Sequence, residues 1–151
     1  MRMIPEKCVS ETDDSRISLN DKQSVSAIFL NPGRVLHRCI RFDGCVVKNK
    51  TACDWILEKP DVGRIVVELK GRDVPHAIEQ VEAGLNHLKD SGMRELKLAA
   101  LIVCTRYSSH PTFTTAMQKA KSKLAKIHKA RLHITKDGRD LNFEALLKSS
   151  S

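Results

Sequence analysis

What this chain lacks narrows the possibilities first. No apolar run approaches the ~18 residues that a membrane-crossing helix needs. The opening segment, Met1-Arg-Met-Ile-Pro-Glu-Lys-Cys8, has no apolar core of the kind that directs secretion, so the expected location is cytoplasmic, away from membrane. Aromatic residues are scarce: one Trp, one Tyr and four Phe make a poor stacking surface for single-stranded bases. The five cysteines include no CxxC pair and are odd in number. That argues for reduced thiols and against a disulfide framework or a structural zinc site. Cys45, Cys53 and Cys104 fall in strand-like runs, where cysteine behaves as a small hydrophobe. Internal repeats are missing, and low complexity is confined to the serine tail.

What is present is the composition of a single globular domain. The 151 residues suffice for one proper core, with 41% hydrophobic side chains. The net charge is +8, and +6 of it falls in residues 111–151. A basic C-terminal end suggests an acidic partner such as a phosphate backbone.

Residues 1–24 are polar and weakly periodic, which predicts a flexible arm. Residues 25–147 read as the domain, and 148–151 as a disordered tail. Short strands are expected at Val25–Leu30, Arg34–Phe42 and Cys45–Lys48, punctuated by Asn31-Pro-Gly33, Asp43-Gly44 and Asn49-Lys50. Thr51–Glu58 and Arg64–Lys70 continue this antiparallel meander. The period then changes. Val74, Ala77, Ile78, Val81 and Leu85 have helical spacing, with Gly92 beyond, and Leu96–Thr105 is apolar enough to be a buried strand. Thr112–His128 reads as a second amphipathic helix, Arg131–Thr135 as a strand and Leu141–Leu147 as a short last element. The expected class is α/β or α+β: a mixed sheet, antiparallel at its N-terminal side, flanked by helices. The strand at 96–105 should join the Arg64–Lys70 strand in parallel through a right-handed crossover.

The chemistry concentrates at Asp54, followed thirteen residues later by Glu68-Leu69-Lys70. Lys59-Pro-Asp-Val-Gly63 is a turn cluster, so the flanking strands form a hairpin. A register centred on Asp61 sets Asp54 opposite Glu68, Ile56 opposite Val66 and Glu58 opposite Arg64. Glu68 and Lys70 share a face. Like charges facing each other on a sheet repel, and burying them costs more unless something compensates. A divalent metal held by both carboxylates would compensate, with Lys70 placed to orient a water or stabilise developing charge. The plainer alternative is a surface hairpin with an ion pair between Lys70 and one acid, but Ile65, Val66, Val67 and Leu69 leave that strand little polar surface.

Asp-x13-Glu-Leu-Lys across a hairpin, followed by a helix and a buried strand, resembles the PD-(D/E)xK nuclease superfamily over residues 25–135. That superfamily includes restriction endonucleases, Holliday-junction resolvases and repair and defence nucleases. The resemblance implies a restriction-endonuclease-like core and a nuclease that hydrolyses phosphodiester bonds with Mg²⁺ or Mn²⁺, DNA being preferred to RNA as substrate. Asp54, Glu68 and the Leu69 carbonyl would hold the metal, and Lys70 would act in catalysis. Some branches carry a glutamine on the following helix that faces the site, and Gln80 matches it; a solvated helix position is its other reading. His76, one turn earlier, is a candidate phosphate contact. The chain departs from the pattern in placing Cys53, not proline, before Asp54. The literal Pro60-Asp61 pair falls in the turn, roughly 23 Å of strand away from Glu68 at ~3.3 Å per residue. An additional acid from an N-terminal helix has only Glu6 and Glu11 as candidates, and Asp43 is the alternative. Lys119, Lys123 and Lys126 on the second helix would hold the phosphate backbone, with Lys121, Lys129 and Arg131 at the rim; a solvated lysine-rich face is the other reading, the charge then acting through Arg34, Arg38, Arg41, Lys48 and Lys50 on the meander. The alternative readings are a non-catalytic nucleic-acid-binding or assembly module on the same fold, and a protein-interaction domain whose basic face meets an acidic protein partner. A homodimer or a larger defence or repair complex is compatible with all three.

Overall fold

The structure, a computed structural model, describes residues 4–21, 25–70, 73–90, 96–105 and 111–148. It is an α+β fold. Eight strands form two sheets: β1 (Val9–Thr12), β2 (Arg16–Asn20), β3 (Ser26–Leu30), β4 (His37–Arg41), β5 (Trp55–Lys59), β6 (Gly63–Lys70), β7 (Lys97–Cys104) and β8 (Ala130–Thr135). The helices are α1 (Val74–Asp90), α2 (Pro111–His128) and α3 (Phe143–Leu147). The main sheet runs β1-β4-β5-β6-β7-β8, and β2 and β3 pair separately. Neighbours along β1, β4, β5 and β6 are antiparallel, while β7 and β8 continue in parallel.

The sheet is covered on both faces, which explains why β6 and β7 are nearly continuous apolar runs. On one face Ile56, Val66, Ala100 and Ile102 meet Val74, Ala77, Val81, Leu85 and Leu88 of α1 and Leu124 of α2. On the other face Leu57, Ile65, Val67 and Leu101 meet Ile17 and Leu19 of β2, Phe29 of β3, and Phe143 and Leu147 of α3. At Gly84 the α1 backbone presses so close that a Cβ there would lie 2.7 Å from Cys53 Sγ and 3.3 Å from Val66 Cγ1. A side chain at that position would push α1 off the hairpin.

Four expectations need correction. Residues 9–20 form strands β1 and β2, not a loose arm: Ile17 and Leu19 alternate with exposed neighbours and bury themselves against the second face. Strand β3 leaves the meander to pair with β2, and its Ile28 and Leu30 also exchange backbone hydrogen bonds with Gly138 and Leu141. Cys45–Lys48 is a turn; the amides of Cys45, Val46 and Val47 all point at the Phe42 carbonyl, which leaves no ladder for a strand. Finally, Cys8 and Cys45 form a disulfide across 37 positions, whereas Cys39, Cys53 and Cys104 are free and buried as expected. Residues 149–151 of the expected tail, Gly92 and positions 1–3 and 22–24 of the expected arm lie outside the described residues. No helix among the described residues is long and apolar enough to cross a membrane.

Candidate active site

The hairpin adopts the anticipated register. Trp55 pairs with Val67, Ile56 with Val66, Leu57 with Ile65 and Glu58 with Arg64. Asp61 sits in the connecting turn with a left-handed φ of 65°. Lower on the hairpin, Glu58 is buried and accepts from Arg38 at 2.9 Å and Arg64 at 2.6 Å, so that acid is neutralised by two guanidiniums.

At the opposite end, Asp54 and Glu68 meet without such neutralisation. The Asp54 amide donates to Glu68 Oε1 at 3.1 Å, and the Leu69 amide donates to Asp54 Oδ2 at 2.8 Å. Each carboxylate is thus fixed by the backbone of the segment that carries the other. Glu68 is only 2% exposed. Burial first, and then the charge of Asp54, push its carboxyl up to about 9, while Lys70 pulls in the opposite direction. Asp54 is also raised, by burial above all, although bonds from the Leu69 amide and from Glu68 hold it down. Two carboxyls bonded to one another in a desolvated corner behave as a pair in which Glu68 keeps a proton. Cys53, fully buried behind them, is pushed well above the ordinary thiol range by burial and by both acids.

The pair lies in a cleft of about 1240 Å³ that also takes in Lys70, Leu69 and Gln80. Among the described residues Lys70 makes no ion pair, so the plain salt-bridged hairpin is not what forms. Gln80 is buried, not on a solvated helix face. Its Nε2 donates to the Ala52 carbonyl at 3.3 Å, and its Oε1 is buried with no partner among the described residues. The close seating of α1 at Gly84, one turn on, is what brings Gln80 this far in.

The cleft also contains side chains outside the Asp54, Glu68 and Lys70 motif, Arg41 and Lys48 of the meander among them. Asp73 accepts from the His76 amide at 3.1 Å, capping the first turn of α1, and faces the cleft. Arg41 stacks over the Trp55 ring at 4.8 Å, and the Trp55 indole N–H bonds the Asn20 carbonyl at 3.0 Å. Lys48 and Asn49 enter from the 42–49 turn, and Asp21 from the end of β2. Their signal was weak because they sit on separate segments joined only by the fold. Asp43 does reach this cleft, and its charge contributes to raising Asp54. Glu6 and Glu11 do not line it. His76 is exposed and lies 3.5 Å from Glu79.

Lys119, Lys123 and Lys126 share one exposed face of α2, away from the carboxylate pair. Lys123 pairs with Glu82 of α1 at 2.9 Å. Lys121, Lys129 and Arg131 line a different groove, beside β8.

Among the described residues no three His, Cys, Asp or Glu side chains come close enough to hold a metal by themselves. The donor set still suits a hard dication: two carboxylates in contact, in a cleft that also holds a buried amide oxygen without a partner among the described residues. Mg²⁺ commonly takes one or two carboxylates and completes its shell with water and substrate phosphate. Neither a protein-family model, nor a curated protein, nor a solved structure matches the chain.

Proposed function

We propose that this chain is a divalent-metal-dependent nuclease that hydrolyses phosphodiester bonds, DNA being the expected substrate, and that its core is of the PD-(D/E)xK, restriction-endonuclease-like kind. The observation that carries this reading is the cross-bonded Asp54–Glu68 pair, with Lys70 in the same cleft and the buried Gln80 oxygen lacking a partner. A structural acid would be neutralised as Glu58 is. Leaving two acids unneutralised, together with a lysine, in an open cleft is costly for folding and useful for phosphate chemistry.

Asp54, Glu68 and the Leu69 carbonyl would hold Mg²⁺ or Mn²⁺, with Gln80 Oε1 as a neighbouring oxygen. When bound, such an ion lowers the pKa of water and offsets charge on the scissile phosphate. The chain's own residues do the rest. Glu68 releases its proton on loading, and the Asp54 and Leu69 amides keep the two carboxylates oriented. Lys70 stabilises the charge that builds on the phosphate oxygens, or holds the attacking water in line. Gln80 orients a polar group at the helix side of the cleft. Arg41 and Lys48 at the rim attract the phosphate backbone, and Lys119 and Lys126 of α2 extend that attraction.

The test is incubation with labelled duplex DNA, single-stranded DNA and RNA, with Mg²⁺ or Mn²⁺ and with chelator. Metal-dependent cleavage of at least one substrate, lost in Asp54→Ala and Glu68→Ala, supports the reading. Binding without cleavage under all conditions would leave a non-catalytic nucleic-acid module in its place.

A further inference from the structure

We propose that the outer edge of β8 is a docking site for an extended acidic polypeptide strand, added to the main sheet as a seventh strand. Strand β8 ends the sheet order, and among the described residues nothing pairs with its outer side. Beside it runs a groove of about 820 Å³ between α2 and α3, distinct from the carboxylate cleft. Open sheet edges are normally short or blocked. The other edge, β1, follows that rule: it is four residues long and carries Glu11. Strand β8 is six residues long and is flanked by walls that a strand would need on both sides.

Those walls differ. On the α2 side the groove is lined by Lys121, Gln118 and Ser122, with Lys129 at the junction of helix and strand. On the α3 side it is lined by Leu141, Leu146 and Leu147. No carboxylate lines the groove anywhere among the described residues. The α3 wall is fixed by β8 itself: Arg131 donates to the Lys148 carbonyl at 2.9 Å, and His133 bonds the Leu146 carbonyl at 2.8 Å. Side chains of an added strand alternate between its two faces. The fitting occupant therefore carries acidic residues toward Lys121 and Lys129 and apolar residues toward the leucines, while its backbone pairs with β8.

A second copy of the chain fits less well. A twofold antiparallel pairing about Leu132 and His133 would set Lys129 opposite Lys136, and like charges facing across a sheet repel. Nucleic acid could use the lysines but not the leucine wall, and among the described residues no Phe, Tyr or Trp lines the groove to stack on a base.

The test uses a fluorescein-labelled decapeptide of alternating Glu and Val against the whole chain at low ionic strength. A block peptide of the same composition, five Glu then five Val, serves as control. Expected are saturable binding of the alternating peptide, slowed amide hydrogen exchange confined to β8, and a loss of about tenfold or more in Lys121→Glu/Lys129→Glu. The milder Lys121→Gln/Lys129→Gln should fall between wild type and the reversal, which guards against a fold defect in the latter. Glu68→Gln should bind the peptide as wild type does, since the groove contains no part of the carboxylate cleft. Equal affinity for the block peptide, protection away from β8, displacement of the peptide by duplex DNA, or concentration-dependent β8 protection without peptide would each overturn the proposal.

Discussion

Replacing Glu68 by glutamine should make the metal-free protein more stable, and pH should reveal why. The folded chain raises this carboxyl from 4.5 to about 9. A folded-state acid that holds its proton more tightly than the unfolded chain gives full stability at low pH. That stability drains away as pH climbs from 4.5 toward 9, at up to ~1.36 kcal/mol per pH unit. Between pH 4.5 and pH 7 the ceiling is therefore ~3 kcal/mol. Water entering the open cleft will reduce it, and about 1–2 kcal/mol is the expected gain for Glu68→Gln at pH 7. Glutamine keeps the shape and can still accept from the Asp54 amide, so the gain reports charge and not lost packing. The assay is urea unfolding at half-unit intervals from pH 4.5 to 9. Wild type should lose stability as pH rises, and Glu68→Gln should show a much shallower slope. Adding Mg²⁺ should stabilise wild type above pH 7 and leave the variant unmoved. A variant less stable than wild type at pH 7, with the same pH slope, would refute the description of the pair.

Three further outcomes follow from other parts of the molecule. Lys70→Ala should keep nucleic-acid affinity within a few fold while turnover falls on the order of 10²–10³, and parallel loss of binding in a gel-shift titration would make Lys70 a docking residue only. Lys119→Gln with Lys126→Gln should flatten the dependence of log K on log salt for duplex DNA by roughly 1.8, at ~0.9 per contact. Lys123→Gln should add little, because Glu82 already holds that lysine; an equal effect from Lys123 would show that the ion pair opens on binding. Cys45→Ser, or reduction by a dithiol, should cost about 4 kcal/mol or less from the chain entropy of a loop with a 37-residue separation. Thermal melts with and without reductant measure it, and identical melting would mean that the bridge contributes nothing.

The parts legible in the sequence were those with short-range causes. Lys59–Gly63 dictates a turn, and the two β-branched runs around it then have one register, which sets Asp54 against Glu68. The apolar spacing of α1 and the unbroken apolar run of β7 made the parallel crossover readable. What stayed hidden depends on partners distant in the chain. Ile17 and Leu19 of β2 alternate in only five residues, too few to stand out until β3 and the core are present. Cys8 and Cys45 carry no spacing signal, and the bridge exists because the 42–49 turn folds back against the start of β1. Arg41 and Trp55 read as strand residues, and Asp73 falls between the expected strand and helix, until the cleft assembles them. The exposed lysines of α2 were visible as charge, but only the fold divides them between the Lys119 face and the β8 groove.

The most direct measurement of the central claim is isothermal titration of Mg²⁺ or Mn²⁺ into wild type, Asp54→Asn and Glu68→Gln, followed by the same three proteins in the cleavage assay. Wild type should bind the ion with release of a proton from Glu68, and should cleave nucleic acid only when loaded. Each substitution should abolish both properties while the far-ultraviolet circular dichroism stays unchanged. Cleavage that survives in either variant, or persists in chelator, would contradict the claim.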